Sequence, residues 1–181
     1  MRKFVIALGI TAFATAVPLA QGSGQKPADQ HAAKGDHNMM MMDADFAYLM
    51  AKHHRGGIEM TKLEESRGAS AQVKGLAAKI RQGQERDLPT LSQYGTKAKK
   101  DGMVATHEKQ MEKEHQATMA KLKSAAGEGL DKAFAAEMAK HHQMAFEMIK
   151  QAHLTDPKLK QMTDKMSAEQ KQELEELKRV Q

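Results

Sequence analysis

The stretch Phe46-Ala47-Tyr48-Leu49-Met50-Ala51-Lys52-His53-His54 decides how this chain folds, because it returns as Phe134-Ala135-Ala136-Glu137-Met138-Ala139-Lys140-His141-His142. The correspondence runs on to Glu59-Met60 and Glu147-Met148, so nine of fifteen positions are identical at a constant offset of 88. In the first copy Phe46, Met50, His53, Gly57 and Met60 recur at steps of three and four, which places them on one helix face. The segments that follow align at an offset of 86: Val73, Leu76, Ile80, Gln84, Asp87, Leu88 and Leu91 correspond to Leu159, Met162, Met166, Gln170, Glu173, Leu174 and Leu177. Each repeat is therefore a hairpin of two amphipathic helices that cannot bury its apolar face alone, and two such hairpins predict an all-α four-helix bundle.

Punctuation residues set the expected boundaries. Gly68 is suited to a left-handed cap ending the first helix, and Pro89 is expected to kink or shorten the second. Asp156-Pro157 supplies an N-cap and a first-turn proline for the last helix. Hairpins over 43–94 and 130–181 are predicted, joined through a Lys-rich turn and an additional connecting helix over 101–125. Together they make one domain over 43–181.

The N-terminal residues read differently. Arg2 and Lys3 precede an uncharged apolar run from Phe4 to Ala16, followed by small residues, which is the pattern of a secretory signal peptide over 1–20. Residues 21–42, without an apolar period as far as Asn38, are expected to form a flexible tail containing His31, His37 and the run Met39 to Met42, for which an N-terminal helix extension packed on the bundle is the alternative. No second long apolar segment follows, so no membrane span is expected in the mature form, and the location implied is periplasmic or secreted. There is no Cys and hence no disulfide framework. Without Arg2 and Lys3, 26 basic residues face 23 acidic ones, interspersed as on solvated helix faces. With five Phe, two Tyr and no Trp, stacking platforms for nucleic acid are missing, and no nucleic-acid partner is expected.

Methionine is the unusual component. Fifteen Met outnumber Leu and are accompanied by nine His, although Met is ordinarily a minor filler of cores. At about 100° per residue, Met50, His53 and Met60 share one stripe with His54 beside it, and Met138, His141, His142 and Met148 repeat the arrangement. The facing helices carry Gln84 with Asp87 and Gln170 with Glu173 on otherwise apolar sides, as partners for imidazole rings. The bland alternative makes His53 and His141 core histidines bonded to Gln or carboxylate. On the connecting helix Met103, His107, Met111, His115 and Met119 lie four residues apart, a ladder of alternating thioether and imidazole. Its bland counterpart is an ordinary apolar stripe, for which alternating His is a poor choice.

Thioether is a soft, neutral donor that selects Cu(I), or Ag(I) as its mimic, and imidazole accepts Cu(I) and Cu(II). A Cys-free, exported chain rich in Met and His fits copper better than zinc, whose structural sites favour thiolates. A di-iron enzyme would need paired Glu-x-x-His motifs on inward faces, and only Glu112-Lys113-Glu114-His115 has that spacing, unpaired. The chain therefore reads as a binding protein and not an enzyme.

The duplicated Met-x-x-His-His motif (Met50 to His54 with Met60, and Met138 to His142 with Met148) resembles the secreted bacterial family called Domain of Unknown Function 305. The similarity covers most of the chain from Asp43 onward. It implies a ferritin-like bundle of two-helix repeats and, as in some members, copper binding. One departure is visible: Arg55-Gly56-Gly57 stands where the second repeat has Gln143-Met144-Ala145, which predicts unequal His pairs. The function expected is sequestration or shuttling of copper through Met and His ligands, contributing to copper tolerance, with a periplasmic metal-handling protein as a candidate partner. The alternatives are a structural or stress-related envelope bundle that binds partner proteins, and a ferritin-like redox protein.

Overall fold

The structure, a computed structural model, describes residues 41–180. The expected signal peptide, and the part of the expected tail that precedes Met41, lie outside the described residues. Five helices follow one another: α1 (Asp43–Arg67), α2 (Ala71–Gly95), α3 (Gly102–Ser124), α4 (Gly127–Gln151) and α5 (Pro157–Lys178). A two-residue strand, β1 (Met41–Met42), pairs in parallel with β2 (Ala152–His153), which follows α4. Helices α1 and α2 form one hairpin and α4 and α5 the other. They meet through α1 against α4 and α2 against α5, while α3 lies across α1 and α4.

Local signals explain most boundaries. The Ser70 hydroxyl accepts from the Val73 amide at the start of α2. The Asp156 carboxylate accepts from the amides of Lys158 and Leu159 at 2.9 and 3.0 Å, and Pro157 occupies the first turn of α5. Two expectations are corrected. Helix α2 continues through Pro89 to Gly95, because the proline ring sits on the exposed face while Leu91 is buried beyond it and the Tyr94 hydroxyl donates to Asp156 at 2.8 Å. Gly68 is extended (φ −63°, ψ 158°), not left-handed. Glycine is required there by crowding, since a Cβ would lie 2.7 Å from Asp131 Oδ1 and closer still to the Glu64 carboxyl. The tail is also shorter than expected: Met41 and Met42 belong to the ladder, and Met41 is buried in the core.

The repeat in sequence reappears as reciprocal bonding between hairpins. Asp131, one turn into α4, accepts from the amides of Ala69 and Ser70 in the turn of the first hairpin, both at 2.9 Å. Its counterpart Asp43, 88 residues earlier, accepts from the amides of Thr155 and Asp156 in the turn of the second, at 2.8 and 3.1 Å. Each hairpin thus satisfies the loop donors of the other, which pins their register at both ends.

Two apolar clusters fill the interior. One holds Phe46, Leu49, Met50, Leu91, Met148 and Leu159. The other holds Met60, Ile80, Leu122, Phe134, Met138 and Leu177. Phe and Met from opposite repeats share each cluster, as two-fold related hairpins require. The His-His pairs lie between the clusters along α1 and α4.

Candidate metal centre

Both His-His pairs are held inward because each is flanked, one turn away, by a buried methionine of the apolar core. The rings of His53 and His141 stack across the junction of α1 and α4, centroids 3.6 Å apart and planes inclined by 16°. His53 Nε2 donates to the backbone carbonyl of His141 at 3.0 Å. Because a carbonyl only accepts, this fixes the proton on Nε2 and leaves the Nδ1 lone pair free, and that buried atom has no protein partner. His141 Nε2 is likewise buried and without a partner, beside the Gln84 amide, whose two polar atoms are also unpaired.

This meeting depends on Gly57. A Cβ on that residue would stand 2.7 Å from His141 Nε2 and collide with the Gln84 amide. One residue earlier, a Cβ on Gly56 would stand 3.1 Å from His115 Nδ1 of α3. Two adjacent glycines, poor helix formers by about 1 kcal/mol each, therefore let two imidazoles from other helices approach α1.

Helix α3 buries fully only Val104 and Leu122, near its two ends. Beneath its middle lies a cavity of about 500 Å³, lined among others by His53, His141, His115, Met60, Met111 and Met144. Its rim carries five carboxylates (Glu59, Glu108, Glu112, Glu114, Glu137) against three cations (Lys52, Arg55, Lys140). The local balance therefore favours a cation despite the chain's basic total. His115 Nε2 donates to Glu59 Oε2 at 2.9 Å, leaving its Nδ1 lone pair facing α1. Glu108 accepts from Tyr48 and pairs with Lys52, and the hydrogen bond from Lys52 holds its carboxyl below the usual range.

Burial, reinforced by the neighbouring histidines His54 and His142, lowers His53 to about 3. Burial, then His142 and Arg86, does the same to His54, and His141 is pushed well below the usual imidazole value by burial and by His53. These rings are neutral at physiological pH, the form that ligates metal.

The second histidine of each pair turns the other way. His142 Nε2 donates to Glu173 Oε2 of α5 at 2.9 Å, while His54 Nε2 stands 4.0 Å from Asp87 Oδ2 of α2. The carboxylates expected opposite each pair thus face its second histidine, His54 or His142, and not His53 or His141, because successive side chains on a helix are about 100° apart.

The sequence-derived ligand set divides accordingly. His53, His141, His115, Met60 and Met111 share the cavity. Met50, Met138 and Met148 are buried in the apolar clusters and do not line it. His54 and His142 lie in the carboxylate layer. Met103 and Met119 pack against the apolar clusters, and His107 Nδ1 donates to the Met103 carbonyl of its own helix at 3.0 Å. The α3 ladder is therefore not continuous, and only its middle rungs reach the cavity. Met144 was not singled out from the sequence, although its place three residues after His141 on the same face was a readable signal. Among the described residues no three His, Asp or Glu side chains already converge as a metal site. The cavity nevertheless fits a soft ion through its donors: unpaired, neutral imidazole nitrogens beside thioethers. No helix among the described residues is long and apolar enough to cross a membrane.

The solved structures similar to this one share its fold. A DUF305 protein from Streptomyces coelicolor, inferred to be secreted, is 23% identical over 75% of this chain and 88% of its own, with a TM-score of 0.64. CopM in the Cu(II)-bound form is 21% identical over 78% of this chain and 96% of its own, with a TM-score of 0.61. No match was found among curated proteins. The family described as Domain of unknown function (DUF305) matches residues 18–95 and 43–181, and the chain belongs to that family.

Proposed function

We propose that this protein is an exported copper-binding protein that sequesters or shuttles Cu(I), with Cu(II) as a second guest, and that it binds the ion without catalysing a reaction. The observation that carries the reading is the cavity under α3, which three imidazoles and three thioethers from three helices line together with five carboxylates. Neutral thioethers keep their donor strength in an oxidising compartment where thiols are lost to disulfides. The resemblance in fold to CopM, which binds Cu(II), is consistent with the same class of guest. The basic, then apolar, N-terminal segment from Arg2 to Ala16 supports export to the periplasm or beyond. Two repeated hairpins with an extra connecting helix support grouping the fold with ferritin-like bundles. Copper tolerance would follow from sequestration.

The test is anaerobic titration of the mature protein with Cu(I) against a competing chelator. A Met111→Leu/His115→Gln variant alters half-buried residues of α3 and should stay helical by circular dichroism. It should weaken Cu(I) binding by about 10–100-fold, the cost already seen when a group that merely orients a ligand is lost. Failure of the unaltered protein to hold Cu(I) against even a weak competitor would sink the proposal and favour a partner-binding envelope bundle.

A further inference from the structure

The two ends of the bundle are closed by similar backbone pairings, yet only one carries metal-ligating side chains. At one end Gly68 bridges Gly127. At the other, β1 and β2 pair in register, Met41 with Ala152 and Met42 with His153. The paired residues at the glycine end carry no side chain, and what holds that end besides the backbone is the Asp131 carboxylate on the Ala69 and Ser70 amides.

Successive strand residues point to opposite faces, and in-register partners on a parallel ladder point to the same one. Burial agrees: Met41 is 1% exposed and joins the core, whereas Met42 is 44% exposed and His153 is exposed beside it. Met42 is the exposed large hydrophobic residue among those described. The His153 ring has no hydrogen-bond or ion-pair partner among the described residues. A thioether and an imidazole thus stand on adjacent strands, about 4.8 Å apart at the backbone, and among the described residues no hydrogen bond or ion pair engages the imidazole. In sequence, His37, Met39 and Met40 come just before the same strand.

We propose that Met42 and His153 form an exposed site for a soft univalent ion, Cu(I) or Ag(I), separate from the cavity under α3. The proposal rests on the reading of the protein as a Cu(I) carrier and adds the surface at which the ion is received or released. Eleven residues separate Met42 from His53, about 16 Å along α1 at 1.5 Å per residue, so the two sites cannot share one ion. Two exposed donors make this the weaker site, suited to exchange, while the buried cavity is suited to retention.

Titration of the full mature chain, labelled with [methyl-13C]methionine, with Ag(I) and followed by NMR would test this. The Met42 methyl signal should shift as Ag(I) is added, after the signals of Met60, Met111 and Met144. His153→Ala should raise the Ag(I) concentration needed for the Met42 shift by about tenfold or more and leave the cavity signals unaltered. A Met42 signal that ignores Ag(I) while the cavity signals move would overturn this site alone. A Met42 shift unchanged by His153→Ala would also overturn it, since the ion would then be held by the methionine run without the imidazole. A Met42 shift that depends on His153, with no response from the cavity methionines, would support the surface site and remove the cavity reading instead.

Discussion

The two hairpins answer the same structural problem with different residues, and the differences lie at the histidine layer. Gly56 and Gly57 in α1 stand where α4 has Met144 and Ala145, and Asp87 in α2 stands where α5 has Glu173. A perfectly duplicated bundle would present two equivalent faces. Here α1 is pared down to backbone, so that His141 and His115 come close to it, while α4 contributes Met144 to the cavity. The duplication supplies the scaffold, and departures from it shape the cavity under α3.

The largest expected effect concerns a carboxyl that only the first hairpin has. Glu64 is fully buried beside Asp131, and the equivalent position of the second repeat is Ala152, just past the end of α4. Burial, then the neighbouring Asp131 carboxylate, raises Glu64 from 4.5 to about 8. A carboxyl raised in the folded state favours folding fully below its unfolded value. That contribution is lost as pH rises from about 4.5 to about 8, and then stays constant. Urea denaturation across this window should show stability falling by an amount on the order of a few kcal/mol, and Glu64→Gln should flatten the curve. An unchanged slope in the variant would remove Glu64 as its source.

Next in size is the glycine that admits His141. Gly57→Ala should destabilise by about 1–3 kcal/mol through overpacking, against a helix-propensity gain of about 1 kcal/mol. The mirror change Ala145→Gly should cost only about 1 kcal/mol. Chemical denaturation of both variants breaks the comparison if Gly57→Ala proves the more stable protein.

The smallest effect sharpens the carboxylate layer. Glu173→Asp should open the 2.9 Å contact with His142 toward the 4.0 Å spacing seen between Asp87 and His54, costing about 1 kcal/mol. Asp87→Glu should be neutral or mildly stabilising. Equal losses from both would show that the hairpins do not differ in this way.

Much of this was legible in the sequence. The repeat at offset 88 and the helical period of Phe46, Met50, His53 and Met60 foretold five helices in two hairpins with a connector. The composition fixed which donor types the interior could offer, thioether and imidazole. Local rules failed where neighbours decided the outcome. Pro89 does not end α2, because Leu91 and Tyr94 are anchored beyond it. Gly68 is glycine because the Glu64 and Asp131 carboxyls crowd it, not because its backbone is left-handed.

By itself, then, the sequence determined what is encoded within a helix or between copies of one: period, caps, repeat and donor type. It placed Met50, Met60, Met138 and Met148 on the histidine face, but a face is about 100° wide and does not say which neighbour fills it. Only the tertiary structure decided that Met60 reaches the cavity while Met50, Met138 and Met148 fill apolar clusters, and that His53 meets His141 while His142 meets Glu173. It alone put Met42 beside His153. Those choices depend on how α1 and α4 cross and on where α3 leaves space, and such distances between helices arise only when all the side chains pack at once.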